Sequence, residues 1–227
     1  MMRPVVVSVG GSILAGFTER PRLLRDLAAC LATVSRRRKL LVTTGGGPIA
    51  REYITAARTL GIPEPRLDEI GIAATRLNAI LFARAIGRRA DPDIPATVRR
   101  AVLLSRDSPI VVMGGTGPGW TTDAVAAQLA VAVKASHLVN ATAVDGVYTA
   151  DPKKVRGARR YETLTHAELV RLVGKGHTRA GPHVIFDPLA ARTIARHRIP
   201  LYVVDGRDVR NLRAALEDRA FRGTRVG

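Results

Sequence analysis

A single cysteine, Cys30, occurs in 227 residues, which excludes a disulfide framework, and no Cys/His spacing suits structural zinc. Cys30 lies inside the apolar stretch LAACLATV and reads as a small buried hydrophobe. Aromatic residues make up 4% of the chain, too few to stack nucleobases along a single strand. No run of about 18 apolar residues occurs, and the N-terminus lacks a charged-then-apolar signal pattern, so a cytosolic protein without a membrane partner is expected. The phosphate-binding pattern G-x-x-x-x-G-K-[ST] is missing, as is G-x-G-x-x-G after the first apolar run. Those two absences argue against a P-loop NTPase and a dinucleotide-binding Rossmann site. The histidines are scattered without metal-ligand spacing, and no residue is assigned to a resident metal.

The chain does have a large positive charge. Lys and Arg total 36 against 19 Asp and Glu, a formal net charge of +17. Nearly all of that charge is arginine spread along the sequence. The one basic run, Arg36-Arg37-Arg38-Lys39, sits between a helix-like segment and an apolar strand, where a solvated helix end explains it. A general attraction for phosphorylated ligands follows, but a dedicated nucleic-acid partner does not.

The rest of the chain alternates. Compact β-branched or apolar runs at 4–9, 40–44, 108–115, 137–144 and 199–206 read as strands, the last of them final. Helical periodicity is expected across 21–35, 48–60, 68–87, 121–135, 166–176, 187–198 and 211–219. Alternation of this kind implies βαβ units, and near-continuous apolar strands imply burial on both faces. The expected class is therefore α/β, a three-layer α/β/α sandwich around a central, mostly parallel sheet. With no low-complexity linker, two lobes sharing one sheet are expected, residues 1–135 and 136–227.

Four turns at strand ends carry the chemistry. GGSIL at 10–14 offers free N–H groups at a strand-to-helix turn, equally a tight turn without ligand. TTGGGP at 43–48 has three consecutive glycines, more than a turn needs, and Arg51 lies one helical turn further on. GGTGPGWTTD at 114–123 combines backbone donors, three hydroxyls and a helix start, where Thr121 or Thr122 is a cap and Asp123 caps or orients a catalytic group. NATAVDGVYTADPKK at 140–154 closes a strand, turns at Asp145-Gly146 and presents Tyr148, Asp151, Pro152 and Lys153, an order suited to an adenine nucleotide at a sheet edge. In sheets of this kind ligands bind beyond the carboxyl ends of the strands, where all four turns fall.

Taken in order, GGSIL, GGGPIAREYI, DEIGIAATRLNAIL, VMGGTGPGWTTDAVAA, NATAVDGVYTADPKK, VGKG and DPLAARTIAR resemble the amino acid kinase family along the whole chain, and within it the archaeal-type uridylate kinases. The resemblance implies phosphoryl transfer from MgATP to UMP in pyrimidine nucleotide synthesis, by a homohexamer. It implies Gly11 and Ser12 at the ATP phosphates, Gly47 and Arg51 near the transferred group, and Thr142, Tyr148 and Asp151 on the adenosine side. It places Gly46 at the UMP phosphate, Asp68 at the ribose, and Thr116, Gly117, Pro118, Gly119, Trp120, Thr121 and Thr122 around the base and phosphate. Arg51 and Asp123 are the candidate catalytic residues.

The sequence departs from that pattern twice. Ser8 stands where many family members carry a lysine, leaving Arg51, Lys153 and Lys175 as candidate cations, with Arg51 favoured. Ala143 stands where an asparagine is common, which removes one side-chain hydrogen bond. The alternatives are a kinase for another small acceptor (isopentenyl phosphate, or a carbamate or carboxylate) and a nucleotide-binding sensor or storage protein without turnover.

Overall fold

Five buried residues, VVVSV, make the first strand, β1 (Val5–Val9). β-Branched side chains with no polar face suit a strand covered on both sides, and β2 (Leu40–Thr44) and β3 (Ile110–Met113) are buried throughout in the same way. The computed structural model describes residues 2–15, 20–152, 154–174 and 186–227. Among them α1 (Gly11–Leu14) and α2 (Pro21–Val34) follow β1, and α3 (Gly47–Thr59), α4 (Glu64–Ile86) and α5 (Val98–Leu104) separate β2 from β3. Beyond β3 come α6 (Thr122–Ala132), β4 (His137–Thr142), β5 (Thr163–Leu164), α7 (His166–Gly174), α8 (Pro188–His197), β6 (Leu201–Asp205), α9 (Val209–Leu216) and β7 (Thr224–Val226).

The strands form one seven-stranded sheet in the order β3-β2-β1-β4-β6-β7-β5. β1, β2, β3, β4 and β6 are mutually parallel, and β7 runs antiparallel to β6. Alternate strand residues face two cores. Val5, Val7 and Val9 pack with α2, α4 and α9, while Val6, Leu41, Leu138 and Val203 pack with α5, α6, α7 and α8. This is the expected three-layer sandwich. The sheet is continuous across residue 135, because β4 pairs with β1 residue for residue from Val5↔His137 to Val9↔Ala141. The winding direction reverses at β1, so the carboxyl ends of β1 and β4 form the topological switch point, where such sheets open a crevice.

Two expectations need correction. β6 is not the final strand: β7 follows it, and its three residues are too short a run to show a period. The helix expected at 68–87 starts at Glu64, because Pro63 stands at its cap and Pro65 in its first turn, where a missing N–H costs nothing. The run AVLLS closes α5, whose N-terminus is capped by Thr97 Oγ1 accepting from Arg100 N. The VGKG motif lies outside the described residues beyond Gly174, as do Lys153 and Lys175.

Candidate active site

The turns after β1 and β2 touch backbone to backbone. A Cβ on Gly11 would come within 2.1 Å of Gly47 N, and one on Gly45 within 2.5 Å of Gly11 N. Gly47 adopts φ +65°, where an L side chain is strained, and a Cβ there would lie 2.4 Å from Gly11 O. Gly10 N donates to Ala141 O and Gly45 N to Val9 O, each at 2.9 Å, so the ends of β1, β2 and β4 are stitched into one floor. Close approach of the two loops therefore accounts for Gly11, Gly45 and Gly47 before any ligand is invoked. The same approach puts the turn expected for ATP phosphates directly against the turn expected for the acceptor phosphate.

A cleft of about 530 Å³ opens beside this floor. Gly46, Gly47 and Arg51 line one wall, Asp68 and Thr75 of α4 a second, and Gly117, Gly119, Trp120, Thr121 and Thr122 the third. Seven residues expected at the acceptor (Gly46, Asp68, Gly117, Gly119, Trp120, Thr121 and Thr122) thus meet in one concavity with Gly47 and Arg51, expected near the transferred group. Thr116 and Pro118 do not join them; they line a neighbouring groove of about 580 Å³ with Arg76, Leu77 and Ile80. Asp68 Oδ2 accepts from Gly119 N at 2.8 Å and so fastens the loop across the cleft. Thr121 caps α6, its Oγ1 accepting from Ala124 N at 3.1 Å. Arg51 is exposed at the cleft, and Trp120 keeps 41% of its surface open to solvent.

Asp123 has a different task from capping. Ser8, 1% exposed near the end of β1, donates its hydroxyl to Asp123 Oδ1 at 2.7 Å. The main chain of Asp187, at the start of α8, also favours the Asp123 anion. Burial pushes the Asp123 carboxyl up to about 6, the Ser8 hydroxyl opposes that rise, and the Asp187 carboxylate adds to it. The position expected to hold a lysine thus holds a hydroxyl bound to a carboxylate that is reluctant to ionise. Beside Ser8 in the sheet register stands Thr43, whose fully buried Oγ1 has no hydrogen-bond partner among the described residues.

On the adenosine side, Thr142 ends β4 and its carbonyl accepts from Gly206 N at 2.9 Å. The Tyr148 hydroxyl donates to Asp145 Oδ1 at 2.6 Å, and Asp145 Oδ2 receives Arg160 at 2.8 Å and Arg222 at 2.9 Å. Burial disfavours the Asp145 anion, but the Tyr148 hydroxyl and the two guanidinium groups outweigh it, and its carboxyl titrates below the ordinary range. Asp151 is half-buried, and its carbonyl accepts from Lys154 N at 3.0 Å. Ser12 is exposed on α1. Arg207 Nη2 holds Ala143 O at 2.9 Å, a main-chain contact independent of the side chain at 143.

Residue-by-residue reading missed a set of polar groups on α4. Asn78 Nδ2 donates to Gly45 O at 2.7 Å and Gly46 O at 3.2 Å. Thr75 Oγ1 accepts from Gly115 N at 2.7 Å, and its carbonyl accepts from Thr44 Oγ1 at 2.9 Å. Arg76 reaches Gly115 O and Thr116 O. The available signal was a threonine and an asparagine three residues apart on a largely apolar helix, since a buried amide needs partners.

The family model for the amino acid kinase family matches residues 3–205. A uridylate kinase of Methanospirillum hungatei is 43% identical over 225 residues, covering 99% of this chain and 95% of that protein. One from Archaeoglobus fulgidus is 46% identical over 202 residues, covering 89% and 90%. The crystal structure of uridylate kinase from Archaeoglobus fulgidus superposes with a TM-score of 0.89 at 43% identity over the full length of both chains. The UMP kinase of Bacillus anthracis, 23% identical with a TM-score of 0.80 over 99% of this chain and 96% of that one, shares the fold.

Proposed function

The chain belongs to the amino acid kinase family, and from that premise we propose that it is a uridylate kinase, transferring the γ-phosphoryl group of ATP to UMP with release of UDP and ADP. The observation that carries this reading is the contact between the Gly11 turn and the Gly45–Gly47 turn at the mouth of the 530 Å³ cleft. Phosphoryl transfer asks a protein for positioning and positive electrostatics more than for covalent chemistry. Two phosphate-binding turns held in van der Waals contact supply the positioning. Gly11 and Ser12 take the ATP phosphates, Gly46 and Gly47 the acceptor phosphate, and Arg51 the charge that develops between them. Asp68 fixes the loop of Gly119, Trp120, Thr121 and Thr122 over the ribose and base. Asp123 joins the ends of β1, α6 and α8 at the transfer point, a positioning task for an anion.

Mg²⁺ accompanies ATP in this reading. Such an ion is carried mainly by phosphate oxygens and water, and Asp123 is the carboxylate that would hold it on the protein side. Bound there it would neutralise phosphate charge. The segment 1–135 would serve the acceptor and 136–227 the ATP, within one sheet. A homohexamer is consistent with the face of α4 that exposes Leu77, Ile80 and Leu81, a helix whose buried residues pack it into the molecule although its length and composition alone would let it cross a bilayer. We place the enzyme in the cytoplasm, with its nucleotide substrates.

The test is a panel of acceptors with MgATP. ADP formation with UMP above all other acceptors is expected, and the hydroxyls of Thr121 and Thr122 in the cleft favour such a polar acceptor over an isoprenoid phosphate. Preference for any non-nucleotide acceptor would overturn the assignment. The Ser8–Asp123 pair keeps the non-catalytic sensor as a second reading. Calorimetric binding of ATP and UMP without ADP release, joined to a large gain of rate in Ser8→Lys, would favour it.

A further inference from the structure

Two clamps on α4 hold consecutive carbonyls of the two acceptor loops. Asn78, 2% exposed, holds Gly45 O and Gly46 O with one amide nitrogen. Arg76 holds Gly115 O at 3.2 Å through Nε and Thr116 O at 3.3 Å through Nη2. No cis peptide occurs among the described residues, and in a trans peptide the carbonyl and the following N–H point in opposite directions. Pulling the carbonyls of residues 45 and 46 toward Asn78 therefore turns the N–H groups of Gly46 and Gly47 away from it. Pulling those of 115 and 116 toward Arg76 does the same for Thr116 and Gly117.

The direction they are turned in is the cleft. Gly46, Gly47, Gly115 and Gly117 line it, whereas Asn78 is buried behind the first loop and Arg76 lies in the neighbouring groove behind the second. No protein acceptor for the N–H groups of Gly46, Gly47, Thr116 or Gly117 occurs among the described residues. Two pairs of successive free N–H groups on either side of a concavity make an anion-binding arrangement. Arg76 also brings a guanidinium within one peptide of it.

We propose that Asn78 and Arg76 are positioning residues for the acceptor phosphate: neither touches it, and each aims a pair of main-chain N–H groups at it by holding the carbonyls behind. The inference rests on the reading of the cleft as the UMP site. Its consequence is selective. The clamps serve the phosphate and not the nucleoside, so breaking one weakens UMP and spares uridine.

The experiment compares KM for UMP, KM for ATP and the inhibition constant of uridine in wild type, Arg76→Ala, Arg76→Lys and Asn78→Asp. Arg76→Ala is expected to raise KM for UMP by about fivefold to tenfold, the worth of one to two hydrogen bonds, with KM for ATP and the uridine constant within about twofold of wild type. Arg76→Lys keeps the charge but loses the fork that spans two carbonyls, and should fall between. Asn78→Asp presents a carboxylate to two carbonyls and should have the larger effect; should it fail to fold, Arg76→Ala decides alone. A folded Arg76→Ala with unchanged KM for UMP, or with UMP and uridine weakened equally, overturns the proposal. A wild type that does not use UMP, or binds it no better than uridine, instead overturns the reading of the cleft.

Discussion

The cleft proposed for the acceptor is lined by main chain, and the 142–151 loop proposed for the adenosine side, as far as it is described, by side chains already bound to each other. Around the cleft, glycines at 45, 46, 47, 115, 117 and 119 present backbone, and Thr75, Arg76, Asn78 and Asp68 hold that backbone in place. Around the 142–151 loop, Tyr148, Asp145, Arg160 and Arg222 form a closed set of hydrogen bonds and ion pairs. In the proposed reading the first arrangement is preorganised to receive an anion. The second fixes the loop itself. Substitutions in the two regions should therefore fail in different ways, the first by losing acceptor affinity or the fold of the loops, the second by loosening a loop whose nucleoside contacts are shared.

The sharpest break is steric. Gly47→Ala adds a Cβ that meets Gly11 O at 2.4 Å in a backbone with φ +65°, so one of the two turns must move. A loss on the order of 4 kcal/mol or more in unfolding free energy is expected, read by chemical denaturation, together with loss of turnover. An unchanged denaturation midpoint would show that the loops do not meet in solution as they do here.

Asp123 sits between the two halves and gives the next effect. Its folded-state titration near 6 lies above the ordinary 3.8, so its contribution to stability is fully present below about pH 4 and is lost as pH rises through 6. Asp123→Asn should therefore be more stable than wild type at pH 7.5, by up to about 3 kcal/mol, with the gain vanishing below pH 4. The same variant should lose at least about a hundredfold in kcat if the anion is what the transfer point uses, and wild-type kcat should fall as pH drops below 6. A variant destabilised at pH 7.5, seen in paired thermal melts, would contradict the reluctance of this group to ionise.

Arg51→Ala should leave stability within about 0.5 kcal/mol, since the side chain is exposed. It should lower kcat/KM for UMP by about a hundredfold if the guanidinium meets the transferred group. Equal losses measured with respect to ATP and UMP would place Arg51 between them, whereas a loss in UMP affinity alone would confine it to the acceptor half. The smallest effect belongs to Tyr148→Phe, which removes a hydrogen bond to the Asp145 carboxylate and should cost about 1–2 kcal/mol near neutral pH. Asp145 titrates low, so that cost should shrink as the pH falls through its folded-state range. A rise in KM for ATP without a change in stability would mean the hydroxyl serves nucleotide rather than loop.

Most of the sandwich was legible because its signals are local. The valines of β1, the apolar face of α6 and the capping threonine at 121 each announce their element within a few residues. The turns that line the cleft were legible as turns, because their glycines cluster at strand ends. The partners of those turns were not. That Gly11 and Gly47 exist for each other depends on two chain segments meeting across strands, and no period or spacing records it. Asn78 and Arg76 act on residues more than 30 positions away, so in sequence they are merely polar residues on a helix. The resemblance groups Thr116 and Pro118 with the other acceptor residues, and the structure lines the neighbouring groove with both, a distinction between the two sides of one loop that sequence order does not carry. The bond from Tyr148 to Asp145, three residues earlier, was not legible either, because Asp145 reads in sequence as an ordinary turn residue.

The most direct measurement is a crystal structure with UMP bound. The UMP phosphate is expected within about 3 Å of the Gly46 and Gly47 nitrogens, with the uracil and ribose under the 117–122 loop. A phosphate seated away from both nitrogens, or a nucleotide bound in the groove beside Arg76 instead of the cleft, would contradict it.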